Sequence, residues 1–157
     1  MIKFITTSRS FRNAVNYVAK LDYCPLFAFG LVVIKLSSVS EMPDCWLVIV
    51  KPDIGMSTPE SYKYYDEHGL SGLEHPAFDS FLSVLEQNDL SPLSGKLYNV
   101  LEHTVEDPVI GDIKNEMLSL GALGSMMTGS GTAVFGIFDS VHKAVAAKNA
   151  LSEKFIH

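Results

Sequence analysis

The stretch Gly121-Ala122-Leu123-Gly124-Ser125-Met126-Met127-Thr128-Gly129-Ser130-Gly131-Thr132-Ala133-Val134-Phe135-Gly136-Ile137-Phe138-Asp139 carries more glycine than turning requires. Gly121, Gly124, Gly129, Gly131 and Gly136 fall within sixteen positions. The order reads as a small-residue strand, a Gly-Ser-Gly turn, a second apolar strand, and a helix beginning near Ser140. A plain hairpin needs only a two-residue turn such as Asn-Gly. Glycines on both sides of Ser130 admit positive φ and let another backbone, or a phosphate, come close. A tight hairpin packed under a helix, with no ligand, is the competing reading.

Working outward, Pro108 starts a helix with Val109, Ile110, Ile113 and Met117 inward and Gly121 past its end. Leu97 to Val105 reads as another, with Leu97, Val100, Leu101 and Val105 on one face. A further helix runs from His75 or Pro76 to Gln87, striped by Phe78, Phe81, Leu82 and Leu85. Cys45 to Val50 is continuously apolar, which predicts a strand buried on both faces. Lys51-Pro52 ends it, since proline cannot donate to a ladder. Ser57-Thr58-Pro59-Glu60 is a helix start, with Thr58 as cap and Pro59 at the first helical position; that helix stops at Gly69. Val141 to Phe155 is a final amphipathic helix. Toward the N-terminus, Ser10 to Lys20 reads as a short helix and Phe27 to Leu36 as a buried strand or pair of strands. Helices interleaved with strands that turn tightly back on one another make the class α+β.

The 157 residues fit one domain able to bury a core, and 47% apolar against 19% charged residues excludes a disordered chain. A net charge of -6 argues against nucleic acid and membrane surfaces as partners. The longest apolar run, Leu26 to Ile34, is too short to span a bilayer, and the N-terminus lacks the order of a signal peptide. Cys24 and Cys45 follow no disulfide or metal pattern, so a cytoplasmic protein with reduced thiols is expected. The charge is uneven. Residues 1 to 40 hold Lys3, Arg9, Arg12, Lys20 and Lys35 against Asp22, whereas residues 41 to 157 hold seven lysines against seventeen acids. A break of this size marks a boundary or a segment of different origin.

The 121–139 stretch resembles the third motif of the GHMP kinases. Two other segments agree in order and spacing. Pro43-Asp44-Cys45-Trp46-Leu47-Val48-Ile49-Val50-Lys51-Pro52, followed by Ser57-Thr58-Pro59-Glu60-Ser61-Tyr62, resembles the strand and helix start that open the family's C-terminal domain. Asn88-Asp89-Leu90, followed by Pro108-Val109-Ile110 and Ile113-Lys114, resembles its middle helices. The resemblance covers about residues 41 to 139 and extends to the helix beyond. It implies an α+β fold, a ferredoxin-like antiparallel sheet backed by helices. Residues 41–157 would form the C-terminal domain. Residues 1–40 would form a divergent segment, a remnant of or replacement for the N-terminal domain. The family's further strand after the last helix has no counterpart before His157. The expectation is therefore a fold incomplete at both ends, with an open sheet edge through which copies self-associate.

The resemblance also implies chemistry: transfer of the γ-phosphoryl of ATP, with Mg²⁺, to a small-molecule acceptor, here a cytidyl substrate of non-mevalonate isoprenoid synthesis. The family's Gly-Ser-rich phosphate loop is not found in these residues, nor is a Walker pattern. The family's catalytic aspartate lies in a Gly-Ala-Asp-Val-Pro-Phe stretch. Aligning on Pro25 puts Tyr23 at that position and Asp22 one residue off, on the opposite strand face, so no catalytic residue is assigned. Thr128, Gly129, Ser130 and Gly131 take the role of support for the phosphate loop. Thr58 and Tyr62, one helical turn apart, take the cytidine end of the pocket, one by hydrogen bonding and the other by stacking. A plain helix cap and an ordinary amphipathic residue are their competing readings. His68, His75, His103, His142 and His157 lack metal-ligand spacing, and no metal site is expected. His103 and Asp107 read as a solvated pair, and Ser130 has no base nearby. By itself the chain is expected to hold neither ATP nor Mg²⁺ tightly and to show little kinase activity. A non-catalytic ferredoxin-like binding module and a truncated or frame-disrupted gene product are the alternatives.

Overall fold

The computed structural model of the chain describes residues 2–6, 17–20, 35–38, 40, 43–74, 78–93 and 95–155. Its strands are β1 (Ile2–Thr6), β2 (Tyr17–Lys20), β3 (Lys35–Ser38), β4 (Trp46–Val50), β5 (Gly124–Met127) and β6 (Val134–Phe138). Its α-helices are α1 (Thr58–Glu67), α2 (Phe78–Glu86), α3 (Val109–Ser119) and α4 (Val141–Phe155). A 3-10 helix occupies Val100–Thr104.

Four strands form an antiparallel sheet in the order β1-β4-β6-β5, and β2 and β3 pair separately. Apolar residues line both faces of β4, as its unbroken apolar run predicts. Val48 and Val50 join Ile113, Met117, Phe138, Ala144, Ala147 and Leu151 in the larger core, under α3 and α4. Cys45 and Leu47 face the other way, onto Val84, Leu90 and Ile137, with Phe81 and Leu97 packed beside them. Helices therefore cover the sheet on both sides. In β6 the residues alternate between the two cores, as a period of two requires.

Local chemistry sets the helix ends. Ser57, and not the expected Thr58, caps α1: its Oγ accepts the Glu60 N–H at 3.3 Å, and the Glu60 carboxylate accepts the Ser57 N–H at 3.1 Å. That reciprocal pair needs a serine three residues before a glutamate, which leaves Thr58 in the first turn with its hydroxyl available elsewhere. Helix α3 ends in a Schellman motif. The Gly121 N–H donates to Leu118 O and the Ala122 N–H to Met117 O, with Gly121 at φ +91° as expected.

Two expectations change. The helix over 97–105 is a 3-10 turn beginning at Val100, because Asn99 caps it there, its Oδ1 accepting the Leu101 N–H at 3.1 Å. Of the helix over 10–20, the described part, Tyr17–Lys20, is instead strand β2 paired with β3, as suits Tyr and Val; residues 10–16 lie outside the described residues. Of the strand over 27–36, only Lys35 and Leu36 are described, within β3. Strand β1 pairs with β4 at one edge of the sheet, in register from Ile2 opposite Val50 to Thr6 opposite Trp46, and β5 forms the other edge.

Candidate functional site

Two pieces of chain 72 positions apart meet at one end of the sheet. The capped start of α1 faces the turn of the β5–β6 hairpin, and the hydroxyls of Thr58 and Ser130 lie 2.8 Å apart. Thr58 is available for this contact because Ser57 supplies the cap. Gly129 and Gly131, at φ +58° and +97°, are what let the turn carry Ser130 outward. Within the turn, the Gly131 N–H donates to Thr128 O at 3.1 Å and the Thr128 N–H to Ala133 O at 2.8 Å. Tyr62 stands one helical turn beyond Thr58 and is 55% exposed. The two motifs singled out in the sequence are thus joined directly, and an exposed aromatic ring stands beside the junction.

Four further residues, not singled out in the sequence, hold this junction. Lys51, noted there only as the end of a strand, donates from Nζ to Thr132 Oγ1 at 2.6 Å, Ile54 O at 2.5 Å and Pro52 O at 2.9 Å. Thr132 is buried, and its hydroxyl donates in turn to Ile54 O at 2.7 Å. The ammonium stitches the end of β4 to the exit of the glycine turn. Asn99 donates from Nδ2 to Met127 O at 2.9 Å and to Gly129 O at 2.8 Å. Glu102 accepts the Met127 N–H on Oε1 at 2.6 Å and pairs through Oε2 with Lys114. An asparagine before an apolar residue is an N-cap signal, but the amide's reach across the fold has no local trace.

The 3-10 helix also grips α1. Ser61 and Thr104, both fully buried, share a hydrogen bond of 2.8 Å, and Thr104 donates to Leu101 O. Helix α1 and the glycine turn are therefore anchored on the same short segment.

The remaining candidates fall elsewhere. The ring of His68 stacks on that of Tyr64 at 3.7 Å, and its Nδ1 lies 3.0 Å from Tyr64 O at the end of α1. Asp107 accepts the Val109 N–H at 2.9 Å, ahead of α3. Met127 is buried and Met126 half-buried, the alternation of a strand. No group of three or more His, Cys, Asp or Glu gathers among the described residues. Asp22, Tyr23, Cys24, His75 and His157 lie outside the described residues. No helix among the described residues is long and apolar enough to cross a membrane.

Over most of its length the chain is similar to known kinases. Residues 81–157 match the family model "GHMP kinases C terminal". A 4-diphosphocytidyl-2-C-methyl-D-erythritol kinase of Clostridium botulinum (strain Alaska E43 / Type E3) is 37% identical, over 97% of this chain and 55% of its own length. That of Bacillus subtilis (strain 168) is 35% identical over 74% of this chain and 40% of its own. The chain thus spans about half the length of the curated relatives it matches. Among solved structures, a 4-(cytidine 5'-diphospho)-2C-methyl-D-erythritol kinase superposes with a TM-score of 0.59 at 25% identity, over 75% of this chain and 42% of that one. The L. major mevalonate kinase shares the fold alone, with a TM-score of 0.52 at 16% identity over 78% of this chain and 42% of that one. Sheet, helices and glycine hairpin agree with these matches: the chain belongs to the GHMP kinase family, through its C-terminal domain.

Proposed function

We propose that this chain forms the substrate-binding, C-terminal part of an ATP-dependent kinase that phosphorylates 4-diphosphocytidyl-2-C-methyl-D-erythritol in non-mevalonate isoprenoid synthesis. The observation that carries the reading is the Thr58–Ser130 hydrogen bond. It brings the helix start to the glycine turn at one rim, beside the exposed ring of Tyr62. In this reading Tyr62 stacks on the cytosine, which every base permits through its π-face. Thr58 and Ser130 offer hydroxyls to the acceptor molecule, and Thr128, Gly129 and Gly131 form a wall without large side chains where phosphates approach. ATP with Mg²⁺ supplies the phosphoryl group in such a reaction. Residues 41–157 hold the acceptor and support the loop that cradles the donor; residues 1–40 are a divergent segment, a remnant of or replacement for the kinase's N-terminal domain. The curated relatives named above support the substrate, and the net charge of -6 suits a small-molecule ligand better than a polyanion.

Titration calorimetry of the 157-residue chain with the cytidyl substrate tests this. Binding should weaken about tenfold in Tyr62→Ala, since base stacking is worth roughly 1–3 kcal/mol. No binding of the cytidyl compound by the unaltered chain, together with a stable homo-oligomer, would instead favour a non-catalytic module.

A further inference from the structure

We infer that Asn99 is the positioning residue of the Thr-Gly-Ser-Gly turn, setting the shape of the ligand rim without itself meeting the ligand. The inference rests on the proposed function for what the rim binds, but the hold on the turn is read from geometry alone. Strand β5 lies at the edge of the sheet, so Met127 turns its N–H and C=O away from β6. An edge strand leaves such groups in need of partners. The 3-10 helix and its cap supply them: the Glu102 carboxylate accepts from the N–H and the Asn99 amide donates to the C=O. The same Asn99 nitrogen also donates to Gly129 O, the carbonyl immediately before Ser130.

One planar amide therefore fixes the last residue of β5 and the first glycine of the turn together. Gly129 has open space where a Cβ would lie, so packing does not hold it. With φ at +58° and no side chain, this carbonyl is held by the Asn99 amide. The direction of Gly129 O determines where Ser130 points, hence whether its hydroxyl reaches Thr58 Oγ1. Asn99 has a second task, capping the 3-10 helix through Oδ1. The two tasks use different atoms of the side chain, and a substitution can separate them.

Asn99→Asp keeps an acceptor for the Leu101 N–H, removes both amide donations and sets a carboxylate against two carbonyl oxygens. In the ligand-free chain, amide hydrogen exchange at Thr128 and Gly131 should quicken at least tenfold in this variant, while the amides of α1 and α4 keep their wild-type rates. With the cytidyl compound, Asn99→Asp should weaken binding about tenfold. Added to Ser130→Ala it should weaken binding less than the product of the two single effects, because both act through one hydroxyl. Unchanged exchange at the turn would overturn the inference, as would binding losses that multiply fully. Should Asn99→Asp fail to fold, Asn99→Ser, which also retains a capping acceptor and lacks the amide, is read in the same way. Absence of cytidyl binding by the unaltered chain would count against the proposed function alone, and the exchange rates would still decide whether Asn99 holds the turn.

Discussion

Ser61 is the buried residue of α1, whose other positions are half-buried or exposed, and it is polar. Its hydroxyl is tolerable there because Thr104 meets it at 2.8 Å, and Thr104 in turn reaches Leu101 O. A chain of three polar atoms thus joins helix to 3-10 turn inside the protein. Removing one member should cost about 1 kcal/mol, the net worth of a hydrogen bond plus the partner left unmet. Ser61→Ala and Thr104→Val should each lower stability in urea by about that amount, and the double variant by less than the sum. Full additivity would mean that the two hydroxyls do not depend on one another. Neither residue shows its importance in the sequence, where a serine within a wet helix reads as surface.

At the scale of elements, the capping box decides more than where α1 begins. It releases Thr58 to meet Ser130, so the local cap and the distant contact are parts of one arrangement. Ser57→Ala should cost about 1 kcal/mol in thermal unfolding and also weaken cytidyl binding, because Thr58 then competes for the cap. Hydrogen bonds from the Ser57 side chain and backbone lower the Glu60 carboxyl below its ordinary 4.5. A depressed carboxylate stabilises the fold above the unfolded value, and that stabilisation is lost as pH falls through the lower, folded one. The gap in Tm between the unaltered chain and Glu60→Ala should therefore be present at pH 7 and narrow as pH drops below about 4.5. A gap that stays constant to pH 2 would remove the carboxylate from the account. The 3-10 helix is the other decisive element. Its five residues were expected as part of a longer α-helix, since Leu97, Val100, Leu101 and Val105 have helical spacing. The apolar pattern is real, with Leu101 buried and Val100 and Val105 against the core. Asn99 cuts the helix short because its side chain meets the Leu101 N–H on one side and the hairpin on the other.

Across the whole molecule, β6 is the meeting point, pairing with β4 on one side and β5 on the other while contributing to both cores. Gly136 at its middle is what allows α3 to lie so close. A Cβ there would come within 2.9 Å of Met117 Sδ and 3.2 Å of Phe138 Cε2. Gly136→Ala should destabilise by about 1–3 kcal/mol, the usual range for overpacking a filled core. The combination with Met117→Leu, which moves the sulfur's volume, should recover part of it. Equal stability of Gly136→Ala and the unaltered chain would show that α3 can shift freely, against the close packing described. The glycine-rich stretch that announced the family thus uses its glycines for separate purposes, a helix end at Gly121, a turn at Gly129 and Gly131, and close packing at Gly136.

Local patterns determined most of the elements. The apolar run of β4, the start of α1 with its proline in the first turn, the glycine after α3 and the hairpin at Gly129 to Gly131 were all readable, because each depends on neighbours within a few residues. The same stretches carried the family and the pair of motifs that form the rim. What only the tertiary structure decided is how the rim is held. Lys51 reaches Thr132, Asn99 reaches Gly129, Ser61 reaches Thr104, and β1 takes its place beside β4, over separations from about thirty to eighty positions. Such contacts satisfy backbone and hydroxyl groups that folding takes out of water, and their partners are chosen by where the sheet puts them. A lysine at a strand end or an asparagine before a valine looks the same in sequence whether it faces solvent or spans the fold.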